Sequence, residues 1–312
     1  MKGLYAALLI LTSCLYASAT PESTDVIIRF KSSNHAVLEA HYSSSTDTST
    51  RSDLKVVLEQ HAATKQAAVM QVLETHNVLN RVTSLWLDNS IALRSASPSL
   101  ISKLSKMDDV SEVVEDSQIS LPAMDVTPTQ PEDDITDVGK PQSNIAALNT
   151  GPLWAKGYTG EGVVVATIDS GVRWTHEALR GNYRGFAKSK TVVDHDYAFW
   201  TVNASTMLTP DTADIYGHGT HVTGTLAGQA QGIGMAPNAT WIHAKAFDWS
   251  GGTSQSTLIA AAQWVLCPTK RDHTSADCSK GAHVISCSFG GNNSLTWLNP
   301  SVKVNEISLR DS

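Results

Sequence analysis

The chain has 312 residues, 41% of them hydrophobic and 17% charged, with a formal net charge of −7. That length allows a sizeable core spread over more than one folding unit, and the composition excludes an intrinsically disordered chain. The acidic balance argues against non-specific binding to nucleic acid or to an anionic membrane, both of which need basic patches. At the N-terminus Lys2 precedes the apolar stretch Leu4 to Leu11, and Ala17-Ser18-Ala19 has the small-x-small form of a cleavage site. This predicts a secretory signal peptide over residues 1–19 and a secreted, extracellular protein. A membrane anchor is the alternative, but the stretch is too short to span a bilayer.

Asp25 to Phe30 reads as an apolar strand, followed by a Ser/Thr-rich loop from Ser43 to Ser52. Asp53 is placed to N-cap a long helix carrying Leu54, Val57, Leu58, Val69, Val72 and Leu73. Val82 to Trp86 and Ser90 to Leu93 form a predicted hairpin about Asp88-Asn89. Ser97-Pro98 opens a second helix, and Val110 to Ile119 reads as a closing strand. The order β-α-β-β-α-β predicts a ferredoxin-like α+β domain over residues 20–121. Residues 122–143 mix Pro122, Pro128, Pro131 and Pro141 with acidic residues and lack apolar periodicity, which marks a linker open to proteolytic processing.

From about residue 144 to 312 the pattern becomes α/β. A short helix is expected over Ile145 to Lys156, then strands at Gly162 to Ile168, Thr240 to Phe247 and Ala282 to Phe289. A helix from about Ser254 to Leu266 separates the last two. Continuous apolar strands alternating with helices predict a parallel sheet covered on both faces, with chemistry at the carboxyl ends of the strands.

Cys14 leaves with the signal peptide, and three cysteines remain. Cys267 and Cys278 flank a polar loop and are the expected disulfide, while Cys287 lies within the last strand pattern and reads as a buried free thiol. A catalytic role for Cys287 is the sharper alternative, but its strand neighbours supply no base. Sequons at Asn203, Asn238 and Asn292 are candidate glycosylation sites in a secreted chain.

Two segments carry chemistry. Val163 to Ile168 delivers Asp169 at the end of a buried strand, and 49 residues later Gly217-His218-Gly219-Thr220-His221 places an imidazole between glycines at the start of a small-residue helix. Each alone has an ordinary reading, a turn aspartate or a loop histidine. Together, and in this order, they are two members of an Asp-His-Ser triad, with Asp169 orienting His218. A zinc site using His218 and His221 is the rival, but no third ligand and no His-Glu-x-x-His motif accompany them.

Asp169-Ser-Gly-Val and His218-Gly-Thr-His-Val-Thr-Gly-Thr closely resemble the aspartate and histidine signatures of the subtilisin-like serine proteases, the subtilases of peptidase family S8. Gly234-Met-Ala-Pro-Asn-Ala with Lys245-Ala-Phe, and Ser286-Cys-Ser-Phe-Gly-Gly, resemble later strands of that family, while residues 20 to 120 resemble its I9-type inhibitory propeptide. The spacing about Trp200, Trp241 and Trp264 is most similar to the bacillopeptidase-type branch.

The resemblance implies a subtilisin-like α/β sheet and a secreted endopeptidase made as a zymogen. It implies His218 as general base and then general acid, and Asp169 as its partner. Ser288, Phe289, Gly290 and Gly291 become one wall of the substrate cleft. Protein or peptide substrates are implied, with the chain's own propeptide as intramolecular inhibitor and folding aid. No cofactor is required for the chemistry, although structural calcium is common in the family.

The family's nucleophile segment, Gly-Thr-Ser-Met-Ala-x-Pro, does not occur in these residues, and neither does the oxyanion asparagine. Gly252-Thr253-Ser254 precedes the substrate-binding strand and is expected to cap the intervening helix. The reading is therefore of a C-terminally truncated catalytic domain, inactive as it stands. The alternative is a non-catalytic secreted inhibitor or binding protein acting through the propeptide fold.

Overall fold

A computed structural model describes residues 22–44, 51–121, 141–187, 191–202, 214–230 and 232–290. The expected signal peptide, most of the linker, Asn203, Gly291 and Asn292 lie outside the described residues.

The N-terminal part runs β1 (Thr24–Phe30), α1 (His35–Ser44), α2 (Arg51–Thr75), β2 (Val82–Leu85), β3 (Ser90–Ala96), α3 (Pro98–Leu104) and β4 (Val110–Glu115). The four strands form an antiparallel sheet in the order β2-β3-β1-β4, the order of the split β-α-β unit. On α2 the buried residues Leu54, Leu58, Ala62, Gln66, Val69 and Leu73 recur at three- and four-residue spacing, one stripe of a 3.6-residue helix facing the sheet. Gln66 is tolerated there because its amide donates to Asn89 Oδ1 and the Ser90 carbonyl and accepts from the Ser84 hydroxyl. Ser97 caps α3, its side chain accepting the Leu100 N–H, with Pro98 at the first helical position.

The second part holds β6 (Val164–Asp169), β7 (Phe199–Thr201), β8 (Thr240–Lys245) and β10 (Val284–Ser286), paired in parallel in the order β10-β6-β8-β7. Helices α7 (His218–Ala227) and α8 (Gln255–Leu266) pack on it, joined by the short α4 (Ser143–Ala146), α5 (Gly151–Trp154) and α6 (Arg184–Ala187). The result is the parallel α/β sheet that the strand pattern predicts, in the subtilisin-like class that the resemblance implies. Ser254 Oγ accepts the Thr257 N–H at 3.3 Å, so this serine caps α8 as its sequence position predicts.

The two parts are welded. β5 (Gln118–Ser120) pairs antiparallel with β9 (Gly252–Ser254). Asp116 accepts both the backbone N–H (2.9 Å) and the hydroxyl (2.6 Å) of Ser256 in the first turn of α8. Leu54, Leu58, Leu85 and Leu87 share one apolar cluster with Ala261, Trp264 and Val265 of α8.

Several expectations need correction. The strand predicted over Val110 to Ile119 divides into β4 and β5 at Asp116, whose N–H still donates to the Asp25 carbonyl of β1 while its side chain bonds the start of α8. Asp53 sits inside the first turn of α2, which begins two residues earlier at Arg51. The helix expected over Ile145 to Lys156 is two single turns, interrupted where Asn149 takes a positive φ of 56° ahead of Gly151-Pro152. The strand drawn from Ala282 to Phe289 is only Val284–Ser286, and Cys287 beyond it is a free, exposed cysteine rather than a buried one. Helix α1 and strands β7 and β9 carry too few residues, with too little periodicity, to stand out in the sequence.

Candidate active site

β6 is buried from Val165 onward and ends at Asp169, whose side chain is almost wholly shielded from solvent. Its parallel neighbour β8 ends at Lys245, so both charged residues lie at the carboxyl end of the sheet. The Asp169 carbonyl accepts the Ala246 and Phe247 N–H groups, which pins the chain as it leaves both strands.

Helix α7 brings the histidine to this end. Gly217 precedes it with φ +88°, a left-handed conformation that glycine adopts without steric cost. Gly219 approaches the turn after β6 so closely that an added Cβ would stand 2.1 Å from the Gly171 carbonyl oxygen and 3.1 Å from Asp169 Cβ. Gly217 and Gly219, on either side of His218, both act through the backbone. In the structure they shape the backbone so that α7 can start against Asp169. His218 Nδ1 then lies 2.7 Å from Asp169 Oδ1, with the imidazole mostly covered but still reached by solvent.

Burial pushes the Asp169 carboxyl above its ordinary pKa, while the His218 hydrogen bond and the Ser170 N–H oppose that shift. A buried carboxylate held in this way fixes which imidazole nitrogen carries the proton and leaves the other free for chemistry. His221, one turn further along α7, faces a crevice of about 210 Å³ with His176, Thr225 and Ile233. Among the described residues no three His, Cys, Asp or Glu side chains converge on one point.

The residues expected to form a substrate wall, Ser288, Phe289 and Gly290, follow β10 in the chain. Phe289 packs on Phe247 with ring centroids 5.1 Å apart, which places it at the same end of the sheet as Asp169. Ser288 is half-buried, its hydroxyl 3.4 Å from that of Ser286, and Gly290 has open space where a Cβ would stand. Cys267 and Cys278 are disulfide-bonded. Asn238 is exposed, and its side-chain amide donates to Thr159 and Glu161.

Sequence reasoning missed three residues around the pair. Ser170 follows Asp169 directly, Asp214 stands four residues before His218, and Lys245 is a lone charge ending an otherwise buried strand. The last was the most visible signal, since a cation in a buried strand calls for partners. Lys245 Nζ donates to the carbonyls of Ser170 and Phe247, the latter at 2.8 Å.

Residues 160–311 match the subtilase family. Among curated proteins the chain is 30% identical over 253 residues to Bacillopeptidase F of Bacillus subtilis (strain 168), which covers 78% of this chain and 17% of that protein. It is 30% identical over 164 residues to the Minor extracellular protease Vpr of the same organism, covering 52% of this chain and 18% of Vpr. To Subtilisin E, also from that organism, it is 31% identical over 157 residues, covering 49% of this chain and 34% of the relative. The chain thus spans about a third or less of the length of these three relatives. No helix among the described residues is long and apolar enough to cross a membrane. The family match over residues 160–311, carried on a parallel α/β sheet, identifies this part of the chain as a peptidase S8 subtilase domain.

Proposed function

We propose that the subtilase domain serves a secreted serine endopeptidase that hydrolyses peptide bonds in protein substrates. His218 acts as general base and then general acid, and Asp169 orients it. The observation that supports this most directly is the 2.7 Å bond from His218 Nδ1 to the buried Asp169 carboxylate. Nε2 is then the nitrogen that takes a proton from a serine hydroxyl and returns it to the leaving amine. The substrate strand would lie along Ser288 to Gly291, with Phe289 against Phe247. Residues 1–19 act as the export signal, and Asn203, Asn238 and Asn292 are the candidate glycan acceptors.

The serine segment Gly-Thr-Ser-Met-Ala-x-Pro is not among the 312 residues, so on their own they supply two of the three triad groups. A polypeptide of these residues alone is proposed to be inactive. The test is a fluorophosphonate probe. The longest native protein containing these residues should be labelled on a serine, and His218→Ala should lower its kcat by about 10⁴-fold or more. The 312-residue polypeptide should remain unlabelled. Labelling of that polypeptide that Ser254→Ala abolishes would overturn the assignment of Ser254 as a helix cap.

For the N-terminal part we propose the role of propeptide, an intramolecular inhibitor and folding aid. Its support is the docking of β5 on β9 and of Asp116 on α8, which ties a separate antiparallel sheet to the domain that carries Asp169 and His218. The same docking favours the second reading, a protease inhibitor acting on other subtilases. Residues 20–121, expressed alone, should inhibit a subtilisin at micromolar concentration. No inhibition at that concentration sinks the inhibitor reading.

A further inference from the structure

We propose that Ser170 and Asp214, tied to Lys245, are positioning residues that hold the start of α7 against Asp169 and so set the orientation of His218. This rests on reading Asp169 and His218 as the acid–base pair of the site.

Ser170 is fully buried and every polar atom it has is engaged. Its N–H donates to Asp169 Oδ1 at 2.7 Å, and its hydroxyl donates to Asp214 Oδ1 at 2.8 Å. The same hydroxyl oxygen accepts the Gly219 N–H at 3.0 Å. Its carbonyl accepts from Lys245 Nζ. One residue therefore joins the end of β6, the end of β8 and the first turn of α7.

Asp214 completes the clamp from the other side. Oδ1 also accepts the Gly217 N–H at 2.8 Å, and Oδ2 accepts the N–H of Thr220 at 2.8 Å together with its hydroxyl. Three of the helix's early N–H groups, at Gly217, Gly219 and Thr220, are thus satisfied by these two side chains. Without them the first turn would be left to fray toward water. The carboxylate also lies at the positive end of the helix dipole, where a negative charge is favoured.

The consequence for His218 is geometric. It is the first residue of α7, so its Cα moves with the turn that Ser170 and Asp214 hold. A hydrogen bond of 2.7 Å tolerates little displacement before it weakens. The arrangement also predicts what each substitution does. Ser170→Ala removes the oxygen between Asp214 and Gly219. Asp214→Asn replaces one accepting oxygen with an NH₂ that must face N–H or O–H donors on whichever side it points.

The test uses the 312-residue chain with labelled histidine and follows the low-field Nδ1 proton of His218 by NMR, assigned as the signal that Asp169→Asn removes. In Ser170→Ala and Asp214→Asn this signal should move upfield and exchange with water about tenfold faster, as loss of one charge-assisted hydrogen bond implies. Ala227→Gly, at the far end of the same helix, weakens α7 without touching the clamp and should leave the signal in place. If all three variants shift it alike, the role is general stability and the proposal fails. A signal that Asp169→Asn removes but Ser170→Ala and Asp214→Asn leave untouched also sinks this proposal while sparing the Asp169–His218 pair. A wild-type spectrum with no signal sensitive to Asp169→Asn overturns the pair and this inference together.

Discussion

Gly219 and Gly171 are in such close approach that a single added carbon on Gly219 would stand 2.1 Å from the Gly171 carbonyl oxygen. The atom in the way is backbone, held by a turn whose neighbours are bonded on both sides, so it cannot swing aside as a flexible side chain could. Gly219→Ala must therefore push α7 away from β6. The expected cost is about 2–4 kcal/mol in stability, read as a lower urea midpoint, together with loss of the His218–Asp169 proton signal. A fully stable alanine variant that keeps the signal would show that the approach is looser than described.

His243 is completely buried between the sheet and α7. Its Nδ1 lies 2.5 Å from Thr167 Oγ1, which in turn sits 3.2 Å from Thr223 Oγ1 of α7. Burial, and secondarily the charge of Lys245, holds its pKa well below the ordinary 6.5. The folded state thus binds fewer protons than the unfolded state once the pH falls below 6.5. Stability is full above that value and declines below it, by about 1.4 kcal/mol per pH unit for this one group, until the folded pKa is reached. His61 and His283 shift in the same direction but remain partly open to water. Thermal midpoints measured from pH 7.5 to 5 should fall, and His243→Gln should remove the larger share of that fall. An unchanged slope in the variant would assign the acid sensitivity elsewhere.

What the sequence made legible follows from where its signals are local. β6 and β8 are runs of apolar residues, α2 carries an unbroken stripe, and Ser97-Pro98 and Ser254 are caps read three residues ahead, so these elements stand close to where the pattern puts them. Asp169 and His218 were readable because each sits at an element boundary set by its neighbours. The clamp around them was not, because Ser170, Asp214 and Lys245 meet only when two strands and a helix converge across 75 residues of chain. Asp116 was hidden for the same reason. It reads as part of a strand until α8, 140 residues away, offers it the Ser256 N–H of its first turn.

Asp116 also carries a prediction. Its two oxygens satisfy the Ser256 N–H and hydroxyl, and its charge lies at the N-terminus of α8. Asp116→Ala removes both hydrogen bonds and the favourable dipole contact, a loss of about 1–3 kcal/mol. Because the contact joins the two parts of the chain, the variant should also expose the β5–β9 junction. Limited proteolysis after Leu121 should speed up relative to cutting elsewhere. Equal rates in both proteins would mean that Asp116 contributes nothing to the docking.

Lys245 is the sharpest test of the buried polar arrangement at the strand ends. It is 8% exposed and bonds the Ser170 and Phe247 carbonyls. Burial lowers its pKa, and Asp214, Asp248 and Asp169 act in the opposite direction, with Asp214 the strongest of the three. Lys245→Met keeps most of the aliphatic volume but leaves two carbonyls without their donor and removes the cation that faces three carboxylates. Each orphaned carbonyl costs about 1–3 kcal/mol, so the variant should lose more stability than Asp116→Ala and should do so at every pH from 6 to 9. Lys245→Arg retains the charge, but its planar fork replaces a single rotatable ammonium and fits two carbonyls on different strand ends poorly. It should therefore fall between wild type and Lys245→Met in urea denaturation. An arginine variant as weak as methionine would show that the hydrogen-bond geometry, and not the charge, is what the strand ends require.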